Sequence, residues 1–346
     1  MSNKERNSFL DITRIVAVLA VIMIHTSSGF VTLYDTSSIE FLWGNIFDSI
    51  SRIGVPLFVM ISGSLMLDEE KNITIKSLLS KNIKNIVYLL IFWSVIYCSI
   101  YEVIFPLIKG EALNFPSIIV SLENGHFHMW YLYMMIGLYL ITTFLREFVK
   151  KENKQLVLLF IAAALATQFT LPVLNVLPIK YRGQFILKFI EKFYLGIFGG
   201  FTAYYLLGWY IVHIGIKKKW IFYCLGIFSL LAIFIYVQMT KDSANGYSNM
   251  NILVLLYSVS VFIALNGSPK REPNFKNKKI FEILSNLSFG VYIIHPLCQT
   301  VVVKVLIYNK KPFIYLLCYF GMVAVLSFAI CLVASKLPII KKAFRI

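Results

Sequence analysis

Charged residues are scarce in this chain. They make up 14% of its 346 residues, against roughly a quarter in soluble globular domains. Acidic residues are the rarer sign, 17 against 33 Lys and Arg. With 58% apolar residues and a mean hydropathy of +0.75, this excludes a soluble enzyme, a DNA-binding protein and a disordered tail. Cysteine is sparse too. Cys98, Cys224, Cys298, Cys318 and Cys331 lie in apolar runs and none forms a Cys-x-x-Cys pair. Neither a disulfide framework nor a zinc site is indicated, and the five read as small buried hydrophobes. Internal repeats, low-complexity tracts and loops beyond about twenty-five residues are missing, so residues 1–346 read as a single integral membrane domain.

What is present is apolar sequence in long runs. About 200 apolar residues suffice for about ten spans of twenty. The predicted spans are 9–29, 41–66, 85–108, 127–145, 155–171, 194–214, 220–239, 250–266, 282–303 and 313–335. This is an all-α, polytopic transmembrane helical bundle. Lys4 and Arg6 ahead of the first run resemble the start of a secretory signal, but no Ala-x-Ala-like site follows, so the run reads as a retained helix. With both termini cytoplasmic, 22 Lys and Arg fall inside and 9 outside, which is the positive-inside pattern. The net charge of +16 is therefore topology, with no nucleic-acid partner implied. Residues 267–279 form a breaker-rich basic linker. The outer segment Pro172–Phe193 carries Lys180, Arg182, Lys188 and Lys192 against the charge rule. It reads either as an interfacial helix with snorkelling bases or as a cationic lip for an anionic glycan or lipid headgroup.

Ionisable groups inside spans are costly and face a cavity or a partner. In the first span, Arg14 and His25 are eleven residues apart. That places them on one helical face, about 16 Å apart along the axis. Asp11, one turn before Arg14, is placed to pair with it. Spacing leaves open a snorkelling Arg14 and a packing His25. In the second span, Asp48 and Arg52 are four apart and can neutralise each other, as a purely structural ion pair would. Pro56 frees a backbone carbonyl at mid-span, which is tolerated where backbone lines a cavity. His128, opening the fourth span ahead of Trp130, and His295, in the ninth, lie at an outer depth similar to His25. Three histidines without a carboxylate or short spacing do not indicate a metal site. His126 and His213 fall at span ends and read as interfacial.

At these residues the sequence resembles the acyltransferase-3 family of integral membrane acyltransferases. The family's Arg-x10-His helix matches Arg14 to His25. Its Val-Pro-Leu-Phe-x-Met-Ile-Ser-Gly stretch matches Val55 to Gly63, preceded by Arg52. His128 to Tyr133 with Gly137 to Leu140, Tyr204 to Tyr210, and Ser288 to Pro296 match later motifs, in order over nearly the whole chain. One departure is the basic stretch after the second span. It carries Lys76, Lys81 and Lys84 where the family has arginines around a phenylalanine, and lysine offers a phosphate a point charge without a bidentate fork.

The resemblance implies a stand-alone O-acetyltransferase of surface polysaccharides in the bacterial cytoplasmic membrane. Its donor substrate would be acetyl-CoA and its acceptor a glycan or lipid-linked sugar, with membrane lipids around it and no metal. His25 would act as general base, Arg14 would hold the donor with Asp11 orienting it, and Arg52, oriented by Asp48, would stabilise the oxyanion. His128, Trp130 and His295 would bind the acceptor or relay protons, and Lys76, Lys81 and Lys84 would attract CoA. Two other classes fit ten polar-striped spans: an exporter or flippase of a polysaccharide or lipid-linked sugar, and a scaffold without chemistry. Consumption of acyl-CoA separates the first reading from both.

Overall fold

A computed structural model describes residues 8–176, 200–266 and 278–344. Among them the chain is helical, with no strand. The helices are α1 (Ser8–Leu33), α2 (Ile39–Ser51), α3 (Gly54–Met66), α4 (Ile75–Lys109), α5 (Phe115–Asn124), α6 (Trp130–Phe148), α7 (Lys154–Val176), α8 (Phe201–His213), α9 (Lys219–Thr240), α10 (Ile252–Asn266), α11 (Lys278–Val305), α12 (Pro312–Ser335) and α13 (Pro338–Phe344). Among the described residues, seven segments are long and apolar enough to cross a membrane. They coincide with seven of the expected spans. The other three correspond to α7, α8 and α10, of which α8 and α10 run 13 and 15 residues. Lys180, Arg182, Lys188, Lys192 and most of the linker at 267–279 lie outside the described residues.

Three spans depart from uniform helix, each for a local reason. The second breaks at Arg52–Ile53 between α2 and α3. Pro56 has no N–H for the carbonyl of Arg52, so the ladder is interrupted there. The third begins ten residues earlier than its apolar run, because Thr74 caps it by accepting from the Ser77 amide at 3.1 Å. A π-helical turn, Leu78–Ile83, follows. Lys76, Lys81 and Lys84 therefore sit exposed on a helix and not, as expected, in a loop. The fourth span is α5 and α6 joined by an unwound step. Gly125 takes a left-handed φ of 68° and ends α5, and His126 to Met129 are carried in the break. Irregular backbone at membrane depth is tolerated where it is packed in protein or lines a cavity.

Packing at the bundle centre relies on small residues, as between membrane helices. α3 and α8 cross with Gly63 against the Tyr205 carbonyl and Gly208 against the Met60 carbonyl. A Cβ at either glycine would lie 1.9 Å or 2.0 Å from those oxygens. Gly54, beside the break, rests on Val21 and Ala17 of α1. At the end where α1 begins, Arg146 of α6 donates to the carbonyls of Met66, Asp68 and Lys71 at 2.7, 3.0 and 2.6 Å. The guanidinium clamps the α3–α4 connection, a role its place in a basic loop did not suggest.

Candidate active site

The histidines of three spans meet. His25 of α1 and His295 of α11 have ring centroids 5.2 Å apart, and His128 lies 5.5 Å from His295. His126 joins them, its Nδ1 2.9 Å from Nδ1 of His128, and its ring stacks on Tyr97 at 4.3 Å. It is part of the cluster and not interfacial, because the unwinding after Gly125 turns its side chain inward. Phe127 meets His25 edge-on at 5.0 Å. Trp130 is not brought in. One residue into α6, it points away, exposed, against Phe201 at 5.6 Å. His213 lies at the opposite end of the bundle, its Nε2 2.9 Å from the Ser64 carbonyl.

Hydrogen-bond partners fix most of the nitrogens, since a carbonyl can only accept. His128 donates Nε2–H to the Ile293 carbonyl at 3.2 Å, so its Nδ1 accepts from His126. Tyr97 donates to the same carbonyl at 2.6 Å, and Tyr292 donates to the carbonyl of His128. His25 is half-buried, and its ring makes no hydrogen bond among the described residues. His128 and His295 are buried. No group of three or more His, Cys, Asp or Glu among the described residues is placed to hold a metal ion.

Two charged pairs flank the cluster. Arg52 pairs with buried Asp48 and lies with its guanidinium carbon 4.1 Å above the Tyr247 ring, a cation–π contact. Its Nε is buried and has no partner among the described residues. At the other end, Arg14 donates to Asp11 at 3.0 Å, and Ser285 donates to the same carboxylate oxygen at 2.7 Å.

Cavities approach the cluster from both ends. From the end carrying Lys81 and Lys84, a cavity of about 260 Å³ runs past Asn82, Met66 and Arg14 to Phe58 and Tyr131. Tyr292 links its inner wall to the cluster, its ring 5.3 Å from Tyr131, 6.5 Å from Phe58 and 5.5 Å from His128. From the far end, one cavity of about 360 Å³ is lined by Ser28, Thr32, Asp48, Arg52, Tyr247 and Asn249. Another of about 690 Å³ reaches His126 and Phe127 between Tyr97 and Asn124. The arrangement suits two substrates that enter from opposite ends and meet at histidines able to move a proton.

A family model described as an acyltransferase domain, that of the acyltransferase-3 family, matches residues 7–332. No curated protein and no solved structure matches the chain.

Proposed function

The chain belongs to the acyltransferase-3 family and is a membrane acyltransferase, and from that premise we propose that it moves an acetyl group from cytoplasmic acyl-CoA to a hydroxyl of a surface polysaccharide or lipid-linked sugar. The observation that carries this reading is the pair of opposed cavities, one largely apolar with Arg14 in its wall, the other reaching His126 of the histidine cluster. The excess of Lys and Arg at the basic end supports reading it as the cytoplasmic side.

CoA is polyanionic, and Lys76, Lys81 and Lys84 offer it exposed positive charge. Asn82 and Arg14 line the cavity beyond them. Its apolar walls suit the pantetheine arm, with Arg14 held in place by Asp11. The acceptor hydroxyl approaches from the far side, past Ser28 and Asn249. His25 takes its proton as the oxygen attacks the thioester carbonyl. Arg52, steadied by Asp48, has an unpaired N–H for the developing oxyanion, a contribution that grows in a water-excluded site. His128 and His295 support the acceptor side of the transfer.

Mass spectrometry of surface glycans from bacteria with and without the protein tests this reading. A loss of one acetyl mass per modified unit is the expected result. Identical glycan masses in the two strains would refute it.

A further inference from the structure

A base must present a lone pair to the hydroxyl it deprotonates, and the ring of His25 alone does not determine which nitrogen that is. His295 and Pro296 do. A proline inside a helix has no N–H for the carbonyl four residues back. Pro296 stands inside α11, so the Tyr292 carbonyl has lost its helical donor. Nδ1 of His295 lies 2.6 Å from that oxygen. Nδ1 therefore carries the proton, and Nε2 of the neutral ring is a bare lone pair. This Nε2 is buried and has no partner among the described residues, a state that a native site keeps for a reason. The ring beside it is His25, 5.2 Å away with the planes 26° apart. Two imidazoles joined edge to edge by an N–H···N bond of about 2.9 Å have centroids roughly 5 Å apart. The separation of the two rings is compatible with that bond. His128 offers no alternative, since both of its ring nitrogens are engaged.

Resting on the reading of His25 as the base, we propose that His25 and His295 form a dyad. His25 donates one N–H to Nε2 of His295 and so presents its other nitrogen, unprotonated, to the acceptor. The hydroxyl proton passes to that nitrogen as the oxygen bonds to the thioester carbon. The C–S bond then breaks, and the proton passes from His25 to the departing CoA thiolate. His295 keeps its own proton throughout and stabilises the transient imidazolium with its lone pair. It is a positioning residue, and Pro296 positions it in turn.

Three variants of the full-length protein in nanodiscs test the dyad. His295→Asn can still donate to the Tyr292 carbonyl but leaves nothing at the Nε2 position. His295→Gln puts an amide oxygen there. The Asn variant is expected to lose roughly tenfold or more in kcat, less than loss of the base itself, with KM for acetyl-CoA unchanged. The Gln variant is expected to recover most of that loss. Pro296→Ala returns an N–H to the Tyr292 carbonyl. Imidazole ¹⁵N NMR, with the His295 signal identified by its absence from His295→Asn, should show Nδ1–H in the wild type and a shift toward Nε2–H in Pro296→Ala. A wild-type His295 protonated at Nε2 overturns the dyad whatever the activity, as does a His295→Asn protein with wild-type kcat. A wild-type protein that transfers acetyl to no hydroxyl overturns instead the reading of His25 on which the dyad rests.

Discussion

His25→Asn is expected to abolish acyl transfer while leaving the protein folded in the membrane. Asparagine keeps the size and a hydrogen-bonding group but takes no proton, and a general base contributes on the order of 10² to 10⁴ in rate. Among the described residues the His25 ring contacts the rings of Phe127 and His295 and makes no hydrogen bond, so its removal breaks none there that holds the bundle together. His213→Asn is the control. It costs one hydrogen bond to Ser64 at the opposite end and should leave turnover near the wild-type value. Initial rates of acetyl transfer by detergent-purified protein decide the matter, with elution volume checking the fold. A His25→Asn enzyme at wild-type rate would reduce the Arg14–His25 stripe to packing.

Gly208→Ala is expected to destabilise the fold enough for the protein to aggregate on extraction. Its Cβ would lie 2.0 Å from the Met60 carbonyl oxygen. That oxygen belongs to the backbone of α3 and cannot swing aside. The two helices must separate, and overpacking typically costs about 1–3 kcal/mol and occasionally more, a sizeable part of an ordinary stability of roughly 5–15 kcal/mol. Gly137→Ala is the matched control, because a Cβ there meets nothing within 4 Å and alanine favours helix. Size-exclusion profiles of the two variants after extraction should differ, aggregate for the first and a wild-type peak for the second. A monodisperse Gly208→Ala protein would show that α3 and α8 do not cross this closely.

Apolar run length carried the helical class and most of the spans, because twenty apolar residues in sequence have few other fates. Helical periodicity carried the Asp11–Arg14 and Asp48–Arg52 pairs, both of which the fold forms. Contacts made through breaks were not legible. The inward turn of His126 depends on the unwound step after Gly125, just ahead of the point where hydropathy starts the fourth span. Trp130 was assigned to the site by motif proximity, yet the first turn of α6 carries it outward. Tyr247, which stacks under Arg52, comes from the far-end loop between α9 and α10, and no local pattern joins the two. Tyr292 was within reach, since it lies three residues before His295 on the same helical face. The basic run at Lys76 to Lys84 read as loop because charge hid the cap at Thr74.

Sealed vesicles carrying the protein in one orientation test the central claim most directly. Acetyl-labelled CoA is enclosed on the side of Lys81 and Lys84, and an oligosaccharide acceptor is supplied on the side of Tyr247. Label appearing on the acceptor as a base-labile ester, with free CoA accumulating on the donor side, is the expected result. Acceptor carried across the membrane unlabelled, with the acetyl-CoA intact, would contradict it and point to an exporter.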